Sequence, residues 1–160
     1  MEYLDIYDEN KNLTGEKILR GEKLEKGKYI NIVIMFIENN EGKFLIQKTS
    51  KEKGGVFATT GGHVKSGTTS DEAIIEEISE ELGLDLSISD LIHIYTRRLE
   101  HVLQDVYYLK KDIDINELTL QESEVEYVKW LSVDEINKLI EKEEFRKSNI
   151  EAFNHIISRR

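Results

Sequence analysis

The segment from Gly61 to Leu84, GGHVKSGTTSDEAIIEEISEELGL, constrains the fold of this chain more than any other stretch. Thr69 and Glu72 have the spacing of a capping box, in which each side chain bonds a backbone N–H of the other residue and so opens a helix. Gly83 is the residue type that most readily adopts the left-handed conformation just past a helix end. The pattern therefore predicts a helix between Thr69 and Gly83.

The predicted helix has two chemically distinct faces. At about 100° per residue, its aliphatic side chains fall on one side and would pack on a sheet, whereas four glutamates form an arc about 140° wide on the other. These glutamates are Glu76, Glu77, Glu80 and Glu81. Glutamates four residues apart repel each other, and a divalent cation would turn that repulsion into binding. An acidic face that meets only water is the alternative.

The residues before the helix favour a binding site. Gly61 and Gly62 follow a predicted strand from Val56 to Thr60. Glycine lets the backbone come close to a ligand, and a free carbonyl there can serve as a further metal ligand. A strand, a glycine pair, a polar loop and an acid-faced helix in this order indicate a site and not only a surface.

Strands surround this segment. Tyr29 to Ile37, YINIVIMFI, is the most apolar run in the chain and is predicted to be a central, buried strand. Arg20 to Lys26 is predicted to form one or two helical turns, and a capping box at Ser132 predicts the first of two final helices. The order predicts an α+β fold with a sheet covered on both faces. The other predicted strands are Tyr3 to Tyr7, Leu13 to Leu19, Lys43 to Gln47, Leu91 to Arg98, Val102 to Lys110 and Val125 to Leu131.

Composition excludes several functions. A chain of 160 residues with 39% hydrophobic and 34% charged residues is typical of a single domain, here 1–160. The absence of cysteine excludes disulfides, thiolate metal sites and cysteine nucleophiles. The net charge of -10 argues against nucleic-acid binding, but a cation between protein and phosphate permits a small phosphorylated substrate. Without a signal-peptide pattern or a membrane-spanning apolar run, a cytoplasmic protein without membrane contact is expected.

Between Gly62 and Leu84 the chain resembles the Nudix hydrolase family. The signature of that family is G-x5-E-x7-R-E-U-x-E-E-x-G-U, where U is a bulky aliphatic residue. Two of its nine defined positions depart, because Thr68 stands in place of the first glutamate and Glu76 in place of the arginine. The seven positions that match are Gly62, Glu77, Ile78, Glu80, Glu81, Gly83 and Leu84.

The resemblance implies a Nudix-like α/β/α sandwich with a mixed central sheet. It also implies that water attacks a diphosphate linkage in a nucleoside diphosphate derivative or a related small phosphorylated molecule, with Mg²⁺, or Mn²⁺, as the metal. The metal ligands it implies are Glu77, Glu80, Glu81 and the carbonyl of Gly61, with Glu80 also catalytic. Because dimers are common among relatives, a homodimer is also expected.

A further glutamate, acting as a base or an extra ligand, is implied in the loop before the last strand. Glu122 and Glu124 are the candidates, and the distance of Glu124 from Trp130 favours Glu124 as the catalytic one. Ordinary loop charge is the alternative for both. Lys48, Lys51 and Lys53 lie in a loop near the predicted site, where they either attract phosphates or only solubilise the loop.

The two departures from the signature replace residues of opposite charge. We hypothesise that the family's pair braces the loop against the helix, and that Lys65 compensates in part for its loss. Hydrolysis is expected to be reduced or altered, and a nucleotide-binding or sensor domain is the alternative. The opening residues and the stretch GKFLIQKTS resemble a subgroup related to isopentenyl-diphosphate isomerase. That isomerase uses a catalytic cysteine, which is absent here, so the isomerase reaction is not expected.

Overall fold

The structure is a computed structural model, and it describes residues 2–160. Within that range it contains nine strands and three α-helices, and none of these helices is long and apolar enough to cross a membrane. The strands are β1 (Tyr3–Tyr7), β2 (Leu13–Leu19), β3 (Ile30–Glu38), β4 (Phe44–Thr49), β5 (Phe57–Ala58), β6 (Thr60–His63), β7 (Ile92–Leu99), β8 (Val102–Lys110) and β9 (Val125–Leu131). The helices are α1 (Ser70–Leu82), α2 (Val133–Glu141) and α3 (Lys147–Ser158).

Strand β3 is the centre of a seven-stranded mixed sheet. It runs parallel to β8 along its whole length, from Ile30 opposite Val102 to Glu38 opposite Lys110. On its other side it pairs antiparallel with β6, but with β4 only where Glu38 meets Phe44. Strand β7 continues the sheet beyond β8, and β9 pairs with β4. Strands β1 and β2 form a separate hairpin.

Successive side chains of β3 enter two different hydrophobic clusters. Val33 belongs to the cluster that contains Ile74 and Ile78 of α1, whereas Ile34 belongs to the cluster that contains Phe153 of α3. Because side chains alternate across a strand, helices on both faces bury the run from Val33 to Ile37, whereas Ile30 and Ile32 are half-buried. The predicted central strand and the sheet covered on both faces are confirmed.

The helix ends follow the predicted signals. The Thr69 side chain accepts from the N–H of Glu72 at 3.2 Å, and the Glu72 carboxylate accepts from the N–H of Thr69 at 3.0 Å. Gly83 has a φ of 67° and donates its N–H to Ser79. Ser132 opens α2 with a capping box of the same kind. Local residue chemistry therefore sets the boundaries of α1 and the start of α2.

Two predictions are wrong. The segment 20–26 forms no helix, and turns occupy its ends; it carries charged residues without an apolar stripe that could pack. The strand predicted from Val56 to Thr60 is broken, and the glycine pair lies inside β6 and not after a strand. Thr59 causes the break, because its hydroxyl donates to the Met35 carbonyl and its N–H donates to Asn149.

Asp105 of β8 joins three parts of the fold although it is fully buried. Its carboxylate lies 2.7 Å from Nζ of Lys11, which belongs to the turn between β1 and β2. It also accepts from the Ser70 hydroxyl at 2.5 Å and from the Thr96 hydroxyl, and it lies 3.0 Å from Nε2 of His93. Burial would raise the pKa of Asp105, but these hydrogen bonds hold the pKa below its ordinary value.

Replacing Lys11 by methionine keeps the length of the side chain and removes its charge. We expect a loss of about 1–3 kcal/mol in unfolding free energy at neutral pH, because the buried carboxylate loses its cation. Because the pKa of Asp105 is lower in the folded protein than its ordinary value of 3.8, the ionised carboxylate stabilises the fold above pH 3.8. This stabilisation is lost as the pH falls through the folded pKa. The difference in unfolding free energy between Lys11→Met and the wild type should therefore become smaller at acidic pH.

Urea unfolding at pH 7 and at about pH 3 measures this difference. Lys23→Met is the matched control, since Lys23 is exposed and forms no ion pair among residues 2–160. An equal loss in the control, or a loss in Lys11→Met that does not depend on pH, would contradict the assigned role of Asp105.

Candidate active site

A cleft of about 430 Å³ lies where β6, α1 and the first turn of α3 approach one another. Glu124, from the loop before β9, lines the cleft as well, whereas Glu122 is exposed and lies outside the lining. The fold thus brings the predicted residues together from three separate segments. The predicted metal ligands in the lining are Gly61, Glu77, Glu80 and Glu81.

Both glycines are closely packed, Gly61 against backbone and Gly62 against the end of a side chain. A Cβ on Gly62 would lie 2.5 and 2.7 Å from the two carboxylate oxygens of Glu77, and a Cβ on Gly61 would overlap the carbonyl of Val33. Neither glycine has a positive φ. Glycine is therefore needed at 61 to allow pairing with β3, whereas a larger residue at 62 would displace the Glu77 carboxylate from its present position.

Glu81 is the most enclosed acid of the cleft, at 8% exposure. Its carboxylate accepts hydrogen bonds from the Thr60 hydroxyl at 2.7 Å and from the Gln47 amide at 3.2 Å. Burial raises the pKa of Glu81, and these two neutral donors offset that effect only in part. The site therefore holds a carboxylate whose ionised form is incompletely stabilised by the protein.

Glu77 and Glu80 add to the same excess of negative charge. Burial, and then the charges of Glu81 and Glu80, raise the pKa of Glu77 to about 8. Burial and the neighbouring Glu76 raise the pKa of Glu80. Two lysines that line the cleft pair with other acids, Lys65 with Glu76 and Lys53 with Glu124. Among the described residues, the three predicted ligands thus have no cation of their own.

The donor set fits a hard divalent ion. Within residues 2–160, no three acidic or histidine side chains already converge closely enough to hold a metal. Carboxylate oxygens are nevertheless the ligands that Mg²⁺ and Mn²⁺ prefer, and Mg²⁺ typically keeps several waters and takes one or two carboxylates together with substrate phosphates. The residues therefore suit an ion that shares its coordination with water and phosphate, not one enclosed by the protein.

Lys65 joins the loop to the helix at the two departures from the signature. Its Nζ lies 3.3 Å from Oε1 of Glu76, and its carbonyl accepts from the Thr68 hydroxyl at 2.7 Å. In this chain the loop supplies the cation and the helix supplies the anion. The family signature has the opposite arrangement, with a glutamate in the loop and an arginine in the helix. Both side chains are more than 40% exposed, so the pair is weak by itself.

The loop that carries Glu124 is fixed by main-chain contacts. Ser50 donates its N–H to the carbonyl of Glu124 at 3.0 Å and its hydroxyl to the carbonyl of Ser123 at 2.8 Å. Lys53, whose Nζ lies 3.4 Å from the Glu124 carboxylate, is the member of the lysine-rich loop that lines the cleft. Lys48 instead lies over the ring of Phe57.

Sequence reasoning missed several residues of the cleft. Gln47 and Thr60 bind Glu81, and Arg146 and Asn149 reach the cleft from the start of α3. The only signal in the sequence was Gln47, a polar side chain in a strand that begins with three apolar ones. The others act through contacts between segments that lie far apart in the chain.

The NUDIX domain family matches residues 28–153. The chain belongs to the Nudix family. Members of this hydrolase family cleave nucleoside diphosphate derivatives, and the expected enzyme class, a Nudix-type pyrophosphohydrolase, is confirmed. An uncharacterised Nudix hydrolase of Listeria monocytogenes is 33% identical over 149 residues, which cover 91% of this chain and 88% of that protein. The NAD-capped RNA hydrolase of Haemophilus influenzae is 32% identical over 82 residues, 51% of this chain and 30% of that enzyme.

Solved structures agree on the fold. A crystal structure from Deinococcus radiodurans superimposes with a TM-score of 0.77 at 23% identity and covers 95% of this chain and 96% of that one. A bifunctional NMN adenylyltransferase/ADP ribose pyrophosphatase from Francisella tularensis, complexed with AMP and a manganese ion, gives 0.63 at 16% identity, covering 82% of this chain and 42% of that one. The predicted Nudix sandwich with a mixed central sheet is confirmed.

Replacing Glu77 by glutamine removes a charge and keeps the shape. Because the folded pKa of about 8 lies above the ordinary 4.5, the wild-type fold loses stability as the pH rises between these values. In metal-free buffer at pH 8 we expect Glu77→Gln to melt about 2–4 °C above the wild type, and the difference to vanish near pH 4. Mg²⁺ should stabilise the wild type more than the variant.

Thermal unfolding at both pH values, with and without Mg²⁺, provides the measurement. Glu41→Gln is the control, because Glu41 is exposed and lies outside the cleft. If Glu77→Gln melts at or below the wild type at pH 8, the carboxylate is not under the repulsion inferred here.

Proposed function

We propose that this protein hydrolyses a diphosphate linkage in a small phosphorylated molecule by metal-assisted attack of water, with Mg²⁺ as the metal. One observation carries the proposal. Glu77, Glu80 and Glu81 have the spacing of the family signature and line one cleft, without a cation of their own among the described residues. A cluster of this kind is costly to maintain, and a divalent ion bridging it to a diphosphate removes that cost.

Each residue has a role in this proposal. Glu77 and Glu81 would hold the ion through their carboxylates, and Gly61 through its carbonyl. Glu80, which is more exposed than Glu77 and Glu81, would be a ligand and also accept the proton of the attacking water. When bound, the ion neutralises the phosphate charge and acidifies that water. Glu124 would serve as the additional base or ligand.

The names of related proteins support this substrate class. The Haemophilus influenzae relative is named for NAD-capped RNA, and the Francisella tularensis enzyme is named as an ADP ribose pyrophosphatase. NAD and ADP-ribose both contain a diphosphate bridge. The manganese ion in the latter complex supports Mn²⁺ as an alternative metal here. Several expectations stay predictions: a small-molecule diphosphate as the substrate, the absence of nucleic-acid and membrane partners, a cytoplasmic location, a homodimer, and one domain over 1–160.

Activity against a panel of nucleoside diphosphate and triphosphate derivatives, with Mg²⁺ or Mn²⁺, tests the proposal. We expect metal-dependent release of phosphate or nucleotide, reduced by about 10²–10⁴ in Glu80→Gln and Glu81→Gln, because each change removes a ligand or the base. Glu124→Gln and Glu122→Gln form a matched pair in one loop. Only Glu124→Gln should reduce turnover, since Glu122 lies outside the cleft lining.

The same panel decides between the enzyme and a sensor domain. A wild type that binds nucleotides yet releases no product with either metal would establish the sensor. Equal losses in Glu122→Gln and Glu124→Gln would remove Glu124 from the mechanism while leaving the hydrolase intact.

The departures from the signature give a separate prediction. Glu76→Arg alone would place two cations together, because Lys65 contacts Glu76, and kcat/KM should fall by about two- to tenfold. Adding Thr68→Glu should restore kcat/KM to the wild-type value or above it, since the new glutamate can pair with the new arginine. Steady-state kinetics of both single variants and the double variant measure the coupling. If Thr68→Glu alone helps as much as the double change, the two positions are not coupled.

A further inference from the structure

The β1–β2 hairpin contributes to the cleft although it precedes the segment that matches the family. That segment begins at residue 28, whereas β2 ends at Leu19. The two residues that flank the hairpin, Glu2 and Arg20, nevertheless line the cleft together with the carboxylates of α1. One part of the cleft wall therefore comes from outside the segment that the family shares.

The hairpin is held on the loop that leads into α1. The Asp5 carboxylate accepts hydrogen bonds from the Ser66 hydroxyl at 2.7 Å and from the N–H of Gly67 at 3.0 Å. At the other end of the hairpin pairing, Arg20 donates its main-chain N–H to the carbonyl of Glu2 at 3.0 Å. Because the loop continues directly into α1, these bonds fix the position of Arg20 relative to the carboxylates of that helix.

Strand β6 sets the order of the groups along the cleft. The residue before the strand donates its main-chain N–H to Asn149 of α3, and Gly62 within the strand faces the Glu77 carboxylate. Burial, and then the charge of Arg20, lower the pKa of His63 at the end of the strand, so Arg20 lies near that end. A diphosphate at the carboxylates would therefore have α3 on one side and Arg20 on the other.

The guanidinium of Arg20 is available to a ligand. Its ion pair among residues 2–160 is with Glu2 at 3.6 Å, which is too long for a hydrogen bond, and its side chain is 48% exposed. Lys65, which also lines the cleft, instead donates a hydrogen bond to Glu76 at 3.3 Å. Arg20 therefore keeps its N–H donors for an anion that enters the cleft and replaces the Glu2 carboxylate.

We propose that Arg20 binds the terminal phosphate of substrates whose diphosphate ends in a free phosphate, and so selects them over substrates whose diphosphate is capped by a neutral group. The inference rests on the proposed function, because it assumes that the diphosphate is held at the carboxylates. A guanidinium binds phosphate through two parallel N–H donors. A terminal phosphate carries more negative charge and more acceptor oxygens than a capped one, so it gains more from this contact.

Methylene analogues test the inference independently of catalysis, because a CH₂ group replaces the oxygen between the phosphates and leaves no anhydride to hydrolyse. α,β-Methylene adenosine diphosphate ends in a free phosphate, whereas α,β-methylene ADP-ribose carries a neutral ribose at that position. We expect calorimetry in the presence of Mg²⁺ to give a Kd at least about fivefold lower for the uncapped analogue, because only its terminal phosphate can pair fully with the guanidinium.

The decisive variant is Arg20→Gln, which keeps a polar side chain and removes the cation. The Kd of the uncapped analogue should rise at least about tenfold, and that of the capped analogue by less than about threefold. Arg20→Lys keeps the charge without the paired donors and should give an intermediate loss. With hydrolysable nucleoside diphosphates, Arg20→Gln should raise KM and change kcat by less than about threefold.

Arg98→Gln is the matched control. Arg98 is also exposed and lies 3.7 Å from the carboxylate of Glu9, but it is outside the cleft lining. Its replacement removes the same charge from the protein and should leave the preference for the uncapped analogue within about twofold of the wild type.

The outcomes separate this inference from the proposed function. Equal or reversed affinities for the two analogues, no binding of either, or a preference that survives Arg20→Gln would overturn it. If the preference is present and depends on Arg20 but no diphosphate is hydrolysed, the inference stands and the hydrolase proposal fails. Because the comparison of the two analogues needs only the wild type, the inference remains testable even if Arg20→Gln does not fold.

Discussion

The contact between the Glu77 carboxylate and the backbone of Gly62 is the constraint on which the site depends. It joins α1 to the edge strand β6, and it is possible only because residue 62 has no Cβ. The same contact withdraws Glu77 from water and places its charge beside Glu81, which raises the pKa of Glu77 to about 8. The close packing of Glu77 against Gly62 is thus accompanied by unfavourable electrostatics, because it leaves the carboxylate beside another negative charge. A bound cation would reconcile them, because it pairs the charge without moving the helix.

Residue chemistry that acts over a few positions predicted much of the fold. The capping boxes at Thr69 and Ser132 and the left-handed Gly83 are satisfied within one helical turn, so sequence spacing was sufficient. The glycine pair was placed after a strand and not within one, because the break at Thr59 depends on Asn149, ninety residues away. A single sequence without its fold does not reveal such a partner.

The same distinction applies to the site. The spacing of Glu77, Glu80 and Glu81 on one helix is periodic, so the acidic face could be predicted before the fold was known. The groups that bond Glu81 come from two other strands, and Gln47 and Thr60 are unremarkable in the sequence. The side of the cleft lined by Arg146 and Asn149 was not predicted at all, because it exists only where β3, β6 and α3 meet.

The parallel pairing of β3 with β8 has a consequence for how the protein is made. Ile30 lies opposite Val102, a separation of 102 − 30 = 72 residues. Such a pairing closes a long loop before any contact repays the lost chain entropy. Strand β3, whose residues 32–34 line the cleft, must therefore wait for β8, whereas the ends of α1 are specified locally. In a ribosome-bound chain from which β8 has not yet emerged, the sequence of α1 is already present but the complete sheet on which it packs is not.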